Sequence, residues 1–254
     1  MKNNWDKFTE KFGGTIIHPQ FIILSYTRLA IKEVFKYSTN KKLIDIGAGN
    51  MPYRKLLETK LNQYVAVDHP KISRLYNPDN KPDIFADITK KIPVKNNTFD
   101  IAIMLEVLEY LENPSQTFSE IYRILKNGGI LIFTTPFLYS LHDLPYDRNR
   151  FTETQIKSFL QSSNLKLKKV QTNGTFLSFW FQSLNVFLLK RIMDILKSKI
   201  NLYSIIYLFL LLVITPEIVI ITNIIFLITK NIKSNFPNYF PLDYLVVAVK
   251  QSKN

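Results

Sequence analysis

The residues of this chain best suited to chemistry begin with two glycines in the stretch LIDIGAGNM. Gly47 and Gly49 follow a short apolar run that predicts a strand, and glycine lets the backbone approach a ligand closely. Asp68 ends the next apolar run, YVAVD, about 20 residues further on, the spacing at which an acid reaches a ribose diol in nucleotide-binding sheets. The pattern predicts a nucleotide-like cofactor, and it leaves open nicotinamide and adenosyl cofactors, which both carry that ribose.

Two residues beside the glycines favour an adenosyl cofactor with a cationic end over a dinucleotide. Asp45 precedes the turn, where its carboxylate would repel a pyrophosphate and attract a positively charged amino-acid end. The dinucleotide spacing G-x-G-x-x-G needs a glycine at position 52, and this chain has Pro52 there. The turn is therefore expected to hold a cationic adenosyl compound.

The elements that must position these residues alternate along the chain. The runs LIDI, YVAVD, PDIFADI, FDIAIML and GILIFTTP predict strands, and the amphipathic run PSQTFSEIYRILK predicts a helix that ends at Asn127, Gly128 and Gly129. TETQIKSFLQSS predicts a helix with Thr152 as N-cap and Gln155 completing a capping box. The runs LKLKKVQT and PLDYLVVAVK predict two more strands. Strands alternating with helices predict an α/β fold with a parallel, doubly wound sheet.

The length of 254 residues and the hydrophobic content of 46% suit one α/β domain with an elaboration. We divide the chain into a helical cap at 1–40, a core at 41–175, an apolar helical insert at 176–240 and a closing strand at 241–254. The core is expected to carry the cofactor, and the insert is the feature that a plain α/β domain does not need.

Five motifs in order carry a family resemblance: LIDIGAG, YVAVD, ADI, FDIAIMLEVLEYL and LKNGGILIFTTP. The series resembles the class I S-adenosylmethionine-dependent methyltransferases, and most of all the group called methyltransferase type 11. It covers roughly residues 41–172 and 242–250. The resemblance implies a Rossmann-like, seven-stranded, mostly parallel sheet with an antiparallel last strand, with S-adenosylmethionine as cofactor.

The resemblance implies roles for the residues around the glycine turn. Asp45, Gly47 and Gly49 would line the methionine end of the cofactor, and Asp68 would bind the ribose hydroxyls. One departure is Met51, which stands where many members of the group have a third glycine. Methionine adds bulk there but leaves the first two glycines intact, so cofactor binding is still expected.

Three further positions are implied along the same edge. Asp87 with Ile88 would hold the adenine, and Glu106 would face the cofactor or the substrate; Glu109 and Glu112 are acids near it that read as solvated. Many members have histidine after VLE, where this chain has Tyr110, which removes an imidazole from the expected cleft.

The stretch HDLPYDRNRFT places an imidazole, carboxylates and a guanidinium after the strand that ends at Pro136. It resembles a His-x-x-Pro-x-Asp-x-x-Arg-aromatic-Thr pattern of a subset of these methyltransferases, often from bacterial surface-glycan or lipid-linked sugar pathways. His142, Asp147 and Arg150 are the candidate catalytic residues: His142 as the base, Asp147 to orient it or act itself, Arg150 to clamp a phosphate or carboxylate. The alternative is an Asp147–Arg150 pair that only fixes the loop.

Residues 202–229 are apolar apart from Glu217. A single transmembrane helix would put PLDYLVVAVK on the far side of the membrane, away from its sheet. Two arms of about 14 residues reach about 21 Å each, short of a hydrocarbon core of about 30 Å. We therefore expect a helical hairpin with Pro216 at its tip, contacting the cytoplasmic membrane surface through 202–229. The alternative is a soluble cap.

Net charge and composition limit the other classes. The net charge of +13 suits an anionic surface or substrate, and the basic residues are too scattered to favour nucleic acid. The chain has no Cys, and three His without clustered acids predict no metal site. We expect a cytoplasmic, membrane-associated enzyme that methylates an oxygen of a glycan, lipid-linked or other small acceptor. The alternatives are a non-catalytic membrane or interaction module and, behind it, an NAD(P)-dependent oxidoreductase; the sequence leaves the oligomeric state open.

Overall fold

A twisted sheet lies at the centre of the computed structural model, which describes residues 8–9, 11–71, 81–199, 201–232 and 238–251. Its seven strands within these ranges follow the order β3-β2-β1-β4-β5-β7-β6. The strands are β1 (Lys42–Ile46), β2 (Gln63–Asp68), β3 (Ile84–Phe85), β4 (Phe99–Leu105), β5 (Leu125–Pro136), β6 (Leu165–Asn173) and β7 (Asp243–Lys250). Only β7 runs antiparallel to its neighbours β5 and β6. The predicted α/β fold with an antiparallel last strand is confirmed.

Helices cover both faces of the sheet. They are α1 (Phe21–Phe35), α2 (Arg54–Glu58), α3 (Pro114–Ile124), α4 (Glu153–Ser162), α5 (Phe176–Lys197) and α6 (Leu202–Thr229). Alternate residues of one strand serve opposite faces: Ile44 packs in the cluster with Phe118 of α3, and Leu43 packs in the cluster with Val34 of α1. Burial on both faces explains why the central strands are apolar without alternation.

Local signals set some helix ends as expected and one differently. Thr152 and Gln155 form the predicted capping box at the start of α4. The prediction that α3 ends at 127–129 is wrong, because α3 ends at Ile124 and β5 begins at Leu125. Leu125 already pairs with Phe99 of β4, so strand pairing takes over before the glycines are reached.

The apolar insert is a helical hairpin, but it is built differently from the expectation. The prediction of a turn at Pro216 is wrong: α6 is one continuous helix through Pro216. The hairpin is formed by α5 and α6, which pack together through Leu188, Ile195 and Leu211. Proline removes one backbone donor, but the Leu- and Ile-rich run around it holds no residue that would end a helix.

Both ends of this α5–α6 hairpin join the sheet at the rim formed by the carboxyl ends of β4 and β5. Helix α5 follows β6, which ends at Asn173, and α6 leads to β7, which begins at Asp243. Asn173 pairs with Asp243, and Asp243 pairs with Pro136 at the end of β5. The hairpin therefore leaves and re-enters the domain beside the carboxyl ends of β4 and β5.

Candidate active site

The glycine turn lies at the carboxyl end of β1 and has backbone angles that favour glycine. Gly47 has φ +72° and Gly49 has φ +53°. A Cβ on Gly47 would stand 2.6 Å from a methyl group of Val107, so Gly47 is needed for packing. A Cβ on Gly49 would have no described atom within 4 Å, so the backbone of Gly49 borders open space. The second glycine is the one placed to approach a ligand.

Met51 holds a conformation that explains the expectation of a third glycine. Its φ is +51°, in the left-handed region, and its side chain is buried. Its sulfur accepts a hydrogen bond from the Arg54 guanidinium at 3.5 Å. The turn thus keeps a glycine-like path with a methionine in place, and the methionine packs into the protein beneath the turn.

Asp45 is buried in β1, with the Tyr64 hydroxyl as its hydrogen-bond donor and Asp68 as the nearby negative charge. The Tyr64 hydroxyl donates a hydrogen bond to its carboxylate. Burial raises the pKa of Asp45 to about 7, opposed by the Tyr64 hydrogen bond and reinforced by the negative charge of Asp68. A cationic ligand group beside it would favour its ionised form. Tyr64 was not among the expected site residues, since a tyrosine inside an apolar strand carries no spacing signal.

Asp68 ends β2 and fixes the turn. One carboxylate oxygen accepts from the Gly49 N–H at 2.8 Å, and the other accepts from the His69 N–H at 2.6 Å. Burial raises its pKa, although both backbone donors act against the rise. A carboxylate has about four lone-pair sites, so two remain for the hydroxyls of a ribose.

Asp87 and Ile88 lie past β3. The Asp87 carboxylate accepts from the Thr89 N–H at 3.0 Å and from the Thr89 hydroxyl at 2.6 Å. Burial alone would raise the pKa of Asp87, but these donors hold it below its usual value. Ile88 has its side chain buried in the core, and its carbonyl accepts a hydrogen bond from the Thr117 hydroxyl at 3.2 Å.

Glu106 follows β4 directly and has a strained backbone, with φ +53°. Its N–H donates to the Thr134 carbonyl at 3.3 Å and to the Thr134 hydroxyl at 3.2 Å. One carboxyl oxygen is buried and has no hydrogen-bond partner among the described residues. Burial, and then the charges of Glu109 and Asp243, raise the pKa of Glu106 well above its usual value.

Two acids beside Glu106 were missed. Glu109 reads as solvated in the sequence, yet its side chain is fully buried, and both carboxyl oxygens lack a hydrogen-bond partner within the described ranges. Asp243 at the start of β7 is also buried, and one of its oxygens accepts from the Asn173 amide at 2.6 Å. Glu112 is exposed and pairs with Arg148. The sequence did contain a signal for Asp243, because it is the acid at the start of the apolar strand DYLVVAVK.

His142 lies between two of these carboxyls. Its Nδ1 is 3.2 Å from the Asp147 carboxylate, and its Nε2 is 3.8 Å from Glu109, beyond a direct hydrogen bond. The rings of Tyr110 and Tyr139 pack edge-on against the imidazole. Burial alone would lower the pKa of His142, but Glu109 and Asp147 outweigh it and raise that pKa.

Asp147 and Arg150 form a tight pair that fixes the loop. The guanidinium donates to both Asp147 oxygens, at 2.5 and 2.8 Å, and also to the carbonyls of Asn149 and Tyr139. Asp147 further accepts from the His142 N–H at 2.9 Å. With both terminal nitrogens engaged, Arg150 is placed to position the loop rather than to clamp a phosphate.

The residues at this edge fit an adenosyl cofactor with a cationic end. The open space beside Gly49 gives room that any larger side chain would narrow, and Asp45 and Asp68 border the same turn. The unpartnered oxygen of Glu106 lies at the end of the neighbouring strand β4. Within the described ranges, no group of three or more acidic or histidine side chains has a geometry that would hold a metal ion.

Comparison with known proteins gives a family for this segment. Residues 44–133 match a family model described as a methyltransferase domain. An uncharacterized protein of Methanocaldococcus jannaschii is 29% identical over 118 residues, 46% of each chain. A malonyl-[acyl-carrier protein] O-methyltransferase of Marinomonas is 22% identical over 162 residues, 56% of this chain and 58% of the relative. The chain thus spans about half the length of the curated relatives it matches.

Solved structures share the fold at low identity. A putative sarcosine dimethylglycine methyltransferase from Galdieria sulphuraria superposes with a TM-score of 0.58 and 14% identity, covering 90% of this chain and 86% of that one. A SAM-dependent methyltransferase from Archaeoglobus fulgidus gives 0.54 and 16%, covering 98% and 100%. The domain match, the fold and the geometry of the glycine turn agree: residues 44–133 match a methyltransferase domain, the chain has the fold that solved SAM-dependent methyltransferases share, and S-adenosylmethionine is the cofactor that the turn fits.

Proposed function

We propose that this chain is an S-adenosylmethionine-dependent methyltransferase that methylates an oxygen of a glycan, lipid-linked or other small acceptor at the cytoplasmic face of the membrane. The observation that carries the proposal is the position of the His142, Glu109 and Glu106 group. It adjoins the end of β4, next to the strand that bears the glycine turn. Cofactor-binding and proton-accepting groups thus share one edge of the sheet.

The chain has two tasks in such a reaction. Bound S-adenosylmethionine supplies a reactive methyl group, so the protein must align the acceptor and remove its proton. The Ser140 carbonyl and the Asp147 carboxylate, each 3.2 Å away, hold Nδ1 of His142. Nε2, which lies 3.8 Å from Glu109, is then the nitrogen that accepts the proton of the acceptor hydroxyl. The raised pKa of His142 means that the neutral, proton-accepting imidazole gains population above the usual histidine range. Asp147 and Arg150 act as positioning residues.

The acceptor class is suggested by the buried carboxyl oxygens. Oxygens of Glu106, Glu109 and Asp243 have no donor in the described part of the chain, and an unpaired buried polar group is costly. A ligand rich in hydroxyl groups, such as a sugar, would supply the missing donors. The resemblance of the loop at 142–152 to surface-glycan enzymes and the O-methyltransferase named among the relatives favour an oxygen acceptor.

A second candidate is methylation of an amine. Three neighbouring buried carboxyls would also accept the N–H groups of an ammonium. A structural relative is named for sarcosine and dimethylglycine, which are amines. The charge of the acceptor separates the two candidates. Added salt should weaken the binding of a cationic amine to the carboxylates and should leave the binding of a neutral glycan nearly unchanged.

The membrane location is supported by α6. By length and composition this helix is apolar enough to enter a membrane, although one such helix is weak evidence by itself. Its exposed apolar side chains and the basic residues near the turn of the hairpin suit a lipid surface.

The first test is calorimetric titration of the full chain with S-adenosylhomocysteine, beside an Asp68→Asn variant. The variant keeps the shape and one acceptor oxygen of Asp68 but loses the charge that faces a ribose. We expect micromolar binding that weakens about 10–100-fold in the variant, the loss typical of a charged hydrogen bond. Glu112→Gln, at an exposed ion pair, is the matched control and should bind as the unmodified chain does.

The second stage follows methyl transfer from labelled cofactor into lipid and glycan extracts. A labelled product whose methyl group is on oxygen supports the first candidate, and one methylated on nitrogen supports the second. Absence of S-adenosylhomocysteine binding by folded protein would contradict the enzyme and leave a non-catalytic module. If NAD(P) instead of S-adenosylhomocysteine stabilised the folded protein against thermal unfolding, the oxidoreductase would be favoured.

A further inference from the structure

The two halves of α6 differ in how they are attached to the domain. In the far half of α6 from the turn, the Asn223 amide donates to the carbonyls of Ile16 and His18, at 2.8 and 3.1 Å. Phe226 is buried with its ring edge-on to Phe21. This half is fastened to the domain on one side, while Ile221, Ile224 and Ile228 are exposed on its other side.

The other half of α6 is bare. Between Leu202 and Ile214 the exposed large apolar side chains are Leu202, Tyr203, Ile205, Ile206, Tyr207, Phe209, Leu210, Leu212, Val213 and Ile214. They surround the helix apart from the side that Leu208 and Leu211 turn toward α5. A helix that is apolar nearly all round belongs in a protein core or in lipid.

We propose that this half of α6 lies within one leaflet of an anionic bilayer, parallel to its surface, without crossing it. The inference rests on the membrane location proposed above but not on methyl transfer. The partner that covers the bare half of α6 is the bilayer itself, and the flat arrangement specifies how the chain is attached to it.

Crossing the membrane is opposed by the attachment of the hairpin. Both its ends join the sheet at Asn173 and Asp243, which pair with each other, so a span would have to return. The bare half of α6 has 13 residues, about 20 Å, against a hydrocarbon core of about 30 Å. Because the far half of α6 is held by the domain, the bare half alone would have to cross, and it is too short to do so.

Perpendicular insertion from the turn is opposed by charge. The last part of α5 and the two residues after it carry Lys190, Arg191, Asp194, Lys197 and Lys199. Inserting the turn first would take these groups into the hydrocarbon, which is costly. Lying flat keeps α5 at the headgroups and immerses only α6, which has no charged residue before Glu217.

The same charges identify the lipid. Four of the five are basic, and each basic residue near an anionic surface adds attraction. The Arg191 guanidinium lies 5.5 Å from the centre of the Tyr207 ring, which joins the basic side of α5 to the apolar side of α6. Tyrosine and arginine side by side are typical of the interface between headgroups and hydrocarbon.

The test uses the absence of cysteine from the chain, which makes any introduced cysteine unique. Leu202→Cys, Phe209→Cys and Val213→Cys are exposed positions along one face of α6, and Ser162→Cys at the end of α4 is the control. Each is labelled with a fluorophore, and its depth in vesicles of phosphatidylglycerol and phosphatidylcholine is measured by quenching with lipids that carry nitroxides at known depths.

We expect the three α6 positions to share one shallow depth in one leaflet and Ser162→Cys to stay in water. A depth that grows steadily along α6 would overturn the flat arrangement. Labels that stay in water while the chain is monomeric would show a soluble cap, and cross-linked dimers without vesicles would show a second copy as the cover. Intact S-adenosylhomocysteine binding in each variant verifies its fold, and loss of that binding by the unmodified chain would contradict the enzyme but not the attachment.

The lipid charge is tested by flotation. Removing one lysine beside an anionic surface should weaken vesicle binding about fivefold. Lys197→Gln with Lys199→Gln should therefore lose about 25-fold on phosphatidylglycerol vesicles and little on phosphatidylcholine alone. Lys166→Gln on β6 is the matched control, and an equal loss in that variant would overturn the local role of the hairpin.

Discussion

The cofactor side and the acceptor side of this site treat their carboxyls in opposite ways. On the cofactor side each acid already has a protein donor: Tyr64 for Asp45, two backbone N–H groups for Asp68, Thr89 for Asp87. On the acceptor side, Asn173 donates to one oxygen of Asp243, but the other oxygen, both oxygens of Glu109 and one of Glu106 are buried without a hydrogen-bond donor in the described part of the chain. The cofactor side is therefore formed before any ligand arrives, whereas the acceptor side lacks hydrogen bonds that a ligand can complete.

The difference has an energetic consequence. A pre-formed turn loses little freedom on binding, which favours affinity for the cofactor. Unpaired buried carboxyls cost stability until a donor reaches them, so the acceptor side is the natural place for specificity. A ligand without matching donors would leave these groups unpaired and would be rejected.

The largest expected effect comes from replacing the glycines of the turn on the cofactor side. Gly47→Ala puts a methyl group 2.6 Å from Val107 at φ +72° and should destabilise the protein by about 2–5 kcal/mol. Gly49→Ala meets open space and should cost about 1 kcal/mol of strain, while its methyl group narrows the ligand space and weakens S-adenosylhomocysteine binding at least about tenfold. Thermal unfolding and calorimetry separate the two. Equal stability losses would contradict the different tasks assigned to the two glycines.

The next effect comes from removing the cost of ionising a buried carboxyl on the acceptor side. Asp243 has its pKa raised to about 7 by burial, so ionising it between its ordinary value near 4 and pH 7 costs stability. That cost is absent at low pH and complete above pH 7. Asp243→Asn keeps the bond from Asn173 and should gain about 2–4 kcal/mol at pH 8 and little at pH 4, measured by urea unfolding. Asp143→Asn, on the exposed part of the loop, serves as control.

A stability gain of equal size at both pH values would show that the Asp243 variant acts through packing rather than charge. The comparison between the two sides would then lose its electrostatic basis on the acceptor side.

The smallest effect sharpens the cofactor side. Burial raises the pKa of Asp45 to about 7, and a cationic amino-acid end favours its ionised form. Affinity for S-adenosylhomocysteine should therefore be highest above pH 7 and fall about tenfold per pH unit below it. Asp45→Asn should bind more weakly at pH 8 and lose this dependence. A profile that is unchanged in the variant would remove Asp45 from contact with the cationic end.

The sequence allowed most of the fold to be predicted, and less of the site. Apolar strands between helices, the N-cap at Thr152 and the order of the five motifs depend on residues close together in the chain. The continuous course of α6 through Pro216 was not predicted, because a proline inside an apolar run is read as a break unless the packing around it is known.

At the site, local spacing indicated Gly47, Gly49, Asp68 and the neighbouring Asp45. The family resemblance implied the other cofactor candidates, Asp87, Ile88 and Glu106, and the catalytic candidates His142, Asp147 and Arg150. The missed acids come from elsewhere: Glu109 looked solvated beside Glu112, and Asp243 lies over 130 residues away from Glu106 in the chain but only two strands across the sheet. Whether an acid is buried depends on which elements cover it, and that information is not local.

The sequence by itself determined the alternation of strands and helices, the glycine turn and the long apolar run, because each is written in neighbouring residues. The tertiary structure decided which carboxyls are buried together, that Arg150 is occupied by Asp147, and that α6 is bare near its turn but fastened at its far end. The physical reason is that desolvation and pairing depend on the distance between groups in space, which only the packed sheet and its helices fix.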